Sequence, residues 1–266
     1  MLYKGIIGMS KVEFISFEAE ATDIKDKVTE YWSERADSFF EQRKRELESI
    51  KATKWLAEIK EKIKESGLSE KERIRILDVG CGSGFFPVLL GREGYEVIGI
   101  DLTEEMIVSA KKMIDFYGLD ERKVSVMQMD AEKPEFDDDT FDVVISRNLT
   151  WTLPHPVESY MGWKRVLKKG GLLLNFDAEY AKGAHKYDDS LNRAHKYVST
   201  DLKEKCHEIY HMLTISALDR PDWDLEVLKE IGFINVEADT CFADRIFDID
   251  DEFYIPDRMF MISAVK

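Results

Sequence analysis

The chain has 266 residues, 44% hydrophobic and 34% charged, which is enough apolar material for a sizeable core and excludes a disordered or collagen-like chain. Asp and Glu (53) outnumber Lys and Arg (38), and the formal charge of -15 repels a polyanion, so nucleic acid is not an expected partner. No apolar run approaches the ~18 residues of a spanning helix, the opening MLYKGIIGMS lacks the features of a secretory signal, and Cys81, Cys206 and Cys241 are too few for a disulfide framework. The expectation is a cytoplasmic protein with no membrane partner, a monomer or homodimer.

From about residue 23 to 47, Val28, Tyr31, Trp32, Arg35, Ala36, Phe39, Phe40 and Arg43 recur every three or four residues and predict one face of a helix. A second helix carries Trp55, Leu56, Ile59 and Ile63 on its buried stripe and stops at Gly67. From residue 74 short β-branched runs alternate with helical segments: IRILDV, YEVIGID, a helix over 103–117, KVSVMQMD, FDVVISR, a helix ending RVLKK, and GGLLLNFD. That alternation predicts right-handed crossovers and a parallel sheet covered on both faces, an α/β fold. It breaks after Asp177, where a polar and aromatic stretch contains one helical face of Leu202, Cys206, Ile209, Tyr210 and Leu213. A further helix over 224–231 and two strands, FINVEA and RMFMISAVK, read as a closing hairpin. The expected organisation is an N-terminal helical cap (1–70), an α/β domain (71–177 and 222–266) and a helical insert or lid (178–221).

Between the first strand and the next helix stands Asp78-Val79-Gly80-Cys81-Gly82-Ser83-Gly84-Phe85-Phe86. Glycines there let the backbone turn sharply and approach a ligand, and the helix start offers unpaired N–H groups. Seventeen residues beyond Gly84, EVIGI ends in Asp101, where an α/β nucleotide site places a carboxylate against ribose hydroxyls. A dinucleotide fingerprint requires a third glycine where this chain has Phe85, which disfavours a nicotinamide cofactor. A third acid, Asp130, closes VSVMQMD, where it can accept from an exocyclic amine.

DVGCGSGFF, GIDLTEEMI, MDAE, FDVVISRN and RVLKKGGLLLNFD together resemble, in order and spacing over roughly 74–177, the successive motifs of class I S-adenosylmethionine-dependent methyltransferases. The resemblance implies a Rossmann-like, seven-stranded, mostly parallel sheet whose last strand is antiparallel. It also implies S-adenosyl-L-methionine as cofactor, S-adenosyl-L-homocysteine as product, and a small-molecule methyl acceptor, as in quinone-biosynthesis methyltransferases. By the same resemblance the turn Gly80, Cys81, Gly82, Gly84, with Asp78 and Phe85 beside it, cradles the methionine part. Asp101 holds the ribose, Leu102 packs on adenine, Met106 belongs to the cofactor site, Asp130 and Ala131 recognise adenine, and the Arg147 main chain borders the methionine end. YWSERADSF resembles the helix that closes over the cofactor in small-molecule members, which implicates Tyr31 and Arg35; the plain alternative is core capping by Tyr31 and a solvated ion pair at Arg35.

Asn148, Trp151 and His155 follow the fourth strand at the open sheet edge and are expected at the acceptor pocket, with a loop role as the alternative for His155. The chain reads Ser146-Arg147-Asn148-Leu149 where amide and adenine N-methyltransferases carry Asn-Pro-Pro-aromatic, which weakens that specificity. A sulfonium methyl is already electrophilic, so placement dominates; if a base acts, Asp177 and Tyr31 are the candidates. Asp177 and Glu179 near the methyl group favour a cationic or neutral acceptor such as an amine or thiol. His207 and His211 lie one helical turn apart beside Cys206, but with neither a CxxC pair nor a Glu between the histidines no metal is expected. The alternative functions are a non-catalytic adenosyl-binding regulatory module and a nicotinamide-dependent oxidoreductase.

Overall fold

The computed structural model describes residues 21–187, 191–196 and 198–266; the opening MLYKGIIGMS read for a targeting signal lies outside them, as do other parts of the expected cap and insert. Two helices lead, α1 (Ala21–Leu47) and α2 (Ile50–Glu65), joined at Ser49, whose hydroxyl accepts from the Lys51 N–H and caps α2. The α2 stripe Trp55, Ile59 and Ile63 is buried as expected, and Gly67 follows in the left-handed conformation at φ 76°.

The α/β unit runs β1 (Arg75–Val79), α3 (Phe85–Gly91), β2 (Glu96–Asp101), α4 (Glu104–Phe116), β3 (Val124–Gln128), β4 (Phe141–Arg147), α5 (Pro156–Val166) and β5 (Leu167–Asp177). Then come α6 (Tyr180–Lys186), α7 (Thr200–Met212), α8 (Asp222–Glu230), β6 (Ile234–Asp239), α9 (Phe242–Ile246) and β7 (Phe260–Val265). Seven strands form one sheet in the order β3-β2-β1-β4-β5-β7-β6, with β7 antiparallel to both neighbours and the remaining pairs parallel. The chain moves outward from β1 to β3 and returns to the other side of β1 as β4. The carboxyl ends of β1 and β4 therefore flank a topological switch point, where such sheets bind ligands.

Two details differ from expectation. Leu167-Lys168-Lys169 belongs to β5, since its strand pairing begins at Leu167 against Phe141. The last two strands pair, but they are no hairpin: α9 and the loop 247–259 intervene, and that loop reaches the insert, where Tyr254 O accepts from the Arg193 and Ala194 N–H groups.

Two buried assemblies hold the switch point. Below it, the Trp55 ring stands edge-on to Phe176 at 5.0 Å and Phe86 at 5.4 Å and tilted to Phe242 at 5.1 Å, joining α2, α3, β5 and α9. On the other face Arg220 binds Asp177 (2.8 Å) and Asp224 (2.9 Å), the Tyr160 hydroxyl donates to Asp224 (2.6 Å), and Asn175 donates to Tyr160 (2.9 Å) while accepting from Ser146 and Thr150. These polar groups are nearly inaccessible and mutually paired, which is the condition for burying them. No helix among the described residues is long and apolar enough to cross a membrane.

Candidate active site

The turn after β1 folds back on β2: the Gly80 and Cys81 N–H groups donate to the Ile100 carbonyl at 2.8 and 2.9 Å. Gly82 holds φ 51°, and a Cβ there would stand 3.4 Å from the Phe39 ring of α1, so the bare backbone faces α1 across a cavity. Gly84 has another task. A Cβ there would lie 3.2 Å from Ala110 Cα, so this glycine lets α3 and α4 approach and does not line the cavity, a correction to its expected place in the cradle.

Asp101 Oδ2 accepts from the Gly82 N–H and Oδ1 from the Thr103 N–H, each at 2.9 Å, leaving each oxygen capacity for a ribose hydroxyl. Burial pushes this carboxyl above its usual range against those two donors. Burial, then the neighbouring Asp101 charge, pushes Asp78 further still, and Asp78 has no hydrogen-bond partner among the described residues. A cavity enclosing about 960 Å³ of empty space, partly open to solvent, takes its wall from both acids, the turn Gly80, Cys81 and Gly82, and Phe85, Leu102, Met106, Asp130, Ala131 and Arg147. Its other wall is α1, through Lys25, Val28, Trp32, Phe39 and Arg43. Lys25 Nζ lies 2.6 Å from Asp130 and 2.5 Å from Glu132, strapping the start of α1 across the end of the cavity beyond β3. The residues fit S-adenosylmethionine: a diol acceptor at Asp101, an unpaired acid at Asp78 for an ammonium group, and a glycine turn whose space a side chain would take.

A second cavity, about 1850 Å³ of empty space also partly open, adjoins the first, and Trp32, Phe39, Arg43, Arg147 and Asn148 line both. Trp151, Tyr180 and Tyr210 form an aromatic wall, with Trp151 5.6 Å from Tyr180 and 5.1 Å from Tyr210. Between the cavities Arg147 grips Glu46 at 2.8 and 3.2 Å and stacks on Trp55 at 4.3 Å, while Arg43 pairs with the same carboxylate. Burial would raise the Glu46 pKa, but Arg147 and Arg43 outweigh it and hold it at about 2; burial and Arg147 lower that of Arg43 to about 10, so the Arg43 guanidinium stays charged at neutral pH. Two cations share one anion, and the wall between the cavities is net positive.

Several expected residues lie elsewhere. Asp177 is no exposed base: one carboxylate oxygen accepts from the Trp151 N–H and Arg220, the other from the Ala178 N–H, and it lines neither cavity. Tyr31 lines the second cavity only; burial, then Cys206, pushes its phenol far above the usual range, so it stays protonated. Arg35 is buried beside Tyr31 and Cys206 and lines neither cavity. His155 immediately precedes α5, with its N–H (2.6 Å) and ring (3.1 Å) on Glu132, also outside both linings. Cys206 is a core residue beside Tyr31 and Tyr210.

Sequence reading missed Lys25, Glu46 and Asp257. Glu46 carried a weak signal as a buried-face partner three residues after Arg43. Asp257 carried none, because it sits in the loop 247–259, whose sequence has neither helical nor strand periodicity. It lines the second cavity, burial raises its pKa to about 6, and its carboxyl occupies the space a Cβ on Gly183 of α6 would need.

Residues 77–175 match the methyltransferase domain family. The phosphatidylethanolamine N-methyltransferase of Cereibacter sphaeroides is 36% identical over 97 residues, 36% of this chain and 47% of that protein. A ubiquinone biosynthesis O-methyltransferase of Nitrosomonas europaea is 33% identical over 107 residues, 40% of this chain and 43% of that one. The fold is similar to that of Haemonchus contortus phosphoethanolamine N-methyltransferase 2, solved with S-adenosyl-L-methionine, at TM-score 0.52 and 21% identity over 74% of this chain and 49% of that one. The chain spans roughly half to two thirds of the length of the curated relatives it matches. Residues 77–175 are thus a methyltransferase domain, and the sheet order and glycine turn around it are those of a class I S-adenosylmethionine-dependent methyltransferase domain, with S-adenosylmethionine as its cofactor.

Proposed function

We propose that the protein transfers a methyl group from S-adenosylmethionine in the first cavity to a small acceptor in the second. The observation that carries this is the pair of adjoining cavities sharing Trp32, Phe39, Arg43, Arg147 and Asn148. The cofactor supplies an electrophilic methyl group on a cationic sulfur; the chain's work is to hold both partners in line and keep water out. Asp101, Asp78 and the glycine turn hold the donor, and α1 covers it.

The pairing of the two acids expected near the methyl group removes the ground for a cationic acceptor. Asp177 is neutralised by Arg220, and the Glu179 carboxylate is taken by Lys182 (2.6 Å) and the Arg220 N–H (3.0 Å), while Arg43 and Arg147 stand in the wall. The reading supported is a flat, partly apolar acceptor with an acidic group, seated against Trp151, Tyr180 and Tyr210. Asp257 is the proposed base. Its carboxyl is ionised above about 6, so turnover should rise as pH passes through that value and level off above it.

Calorimetry with S-adenosylhomocysteine, followed by methyl-donor turnover with paired acceptors differing only as acid or amide, tests the reading. Tight binding with acid-selective turnover is expected; binding without methyl transfer to any small acceptor would leave an adenosyl-binding module. Asp257→Asn is expected to lower kcat ~10²-fold or more and erase the limb near pH 6. A variant with the same pH profile would remove Asp257 from the reaction.

A further inference from the structure

The chain has five histidines, and three of them converge at one point of the fold. His185 lies in the last turn of α6, and His207 and His211 lie one turn apart on α7. One ring nitrogen from each falls within 4.8 Å of the other two, and the Nε2 atoms of His207 and His211 are 3.1 Å apart. The ring centroids are separated by 4.7, 5.0 and 5.4 Å.

We infer that His185, His207 and His211 bind one divalent transition-metal ion of the zinc class at the rim of the second cavity. Zinc–imidazole bonds of about 2.0–2.1 Å in a tetrahedron set the nitrogens about 3.3 Å apart, close to the spacing His207 and His211 already have. A hydrogen bond could satisfy that pair alone, but the third ring brings another nitrogen within 4.8 Å of both, the three-donor convergence that one cation would hold. Neutral nitrogen ligands select zinc, cobalt, nickel or copper over magnesium or calcium. Three protein ligands leave a fourth position open, and His207 also lines the second cavity, so that position stands at its rim.

Spacing alone pointed to no metal here, since two histidines one turn apart lack a third ligand. Packing of α6 on α7 supplies it. The ion would tie together two elements that both wall the cavity: Gly183 and Ala184 from α6, and Cys206, His207 and Tyr210 from α7. Cys206 is not a ligand, because it is buried against Tyr31 and Tyr210 and is not among the groups that converge with the three histidines.

The test uses the full chain, stripped with chelator and titrated with zinc and, separately, with cobalt. One equivalent should bind, with cobalt giving the visible absorption of a nitrogen-rich four- or five-coordinate site, and a large excess of magnesium should not compete. His185→Ala and His211→Ala should each weaken binding tenfold or more, whereas His155→Ala and Cys241→Ser should leave it unchanged. Absence of saturable binding at one equivalent would overturn the site. So would equal affinity in the His185→Ala/His211→Ala double variant, or a thiolate-to-cobalt band that vanishes with the exposed Cys241. If circular dichroism shows that the double variant has lost its fold, His185→Gln gives the same reading. The metal alone is the probe, so the outcome stands apart from whether methyl transfer is found.

Discussion

Replacing Glu46 with alanine is expected to destabilise the protein by about 3–5 kcal/mol, seen as a lower urea midpoint at unchanged slope. The carboxylate is fully buried, and it is the partner shared by Arg147, Arg43 and the Trp55 indole, which donates to it at 3.2 Å. Removing it leaves two guanidiniums facing each other with no anion between them, and breaking a buried pair costs far more than forming one contributes. The acid limb of stability follows from the same group. Its folded pKa is held at about 2 by Arg147 and Arg43, below the ordinary 4.5, so this stabilisation is complete above the ordinary value and is lost as pH falls toward about 2. The variant should lose that part of the acid limb. A change under 1 kcal/mol would mean that water entering from the adjoining cavities solvates both arginines well enough to replace the carboxylate.

The second large effect is on the cofactor. Asp101→Ala should weaken S-adenosylhomocysteine binding at least tenfold, because charge-assisted hydrogen bonds to a diol contribute roughly 1.5–3 kcal/mol each. Gly82→Val should abolish measurable binding: φ 51° is strained for a β-branched residue, and its side chain would fill the gap between the turn and Phe39. Both positions border empty space, so circular dichroism should show a retained fold. Unchanged affinity in folded Asp101→Ala would remove the first cavity as the cofactor site.

What the sequence could determine was whatever depends on neighbours along the chain. The turn Gly80-Cys81-Gly82 between a strand and a helix, Asp101 at the end of the next strand, and Asp130 after the third all emerge at the same sheet edge because parallel strands repeat one geometry. Each of them lines the first cavity. Gly84 showed the limit of that logic: its residue type was right for a turn, but whether it meets ligand or Ala110 depends on how closely α4 packs.

Everything set by contacts between distant segments was decided only by the tertiary structure. Asp177 stands at the end of its strand as expected, yet Arg220, 43 positions later, neutralises it, and that removes the ground for expecting a cationic acceptor. Lys25 reaches Asp130 across 105 positions, and Arg147 reaches Glu46 across 101. Asp257 enters the cavity on a loop whose sequence carries no periodicity, and His185 meets His207 and His211 only because α6 lies against α7. Side-chain pairing of this kind is governed by Coulomb energy and desolvation at distances of a few ångströms, and sequence separation carries no information about those distances.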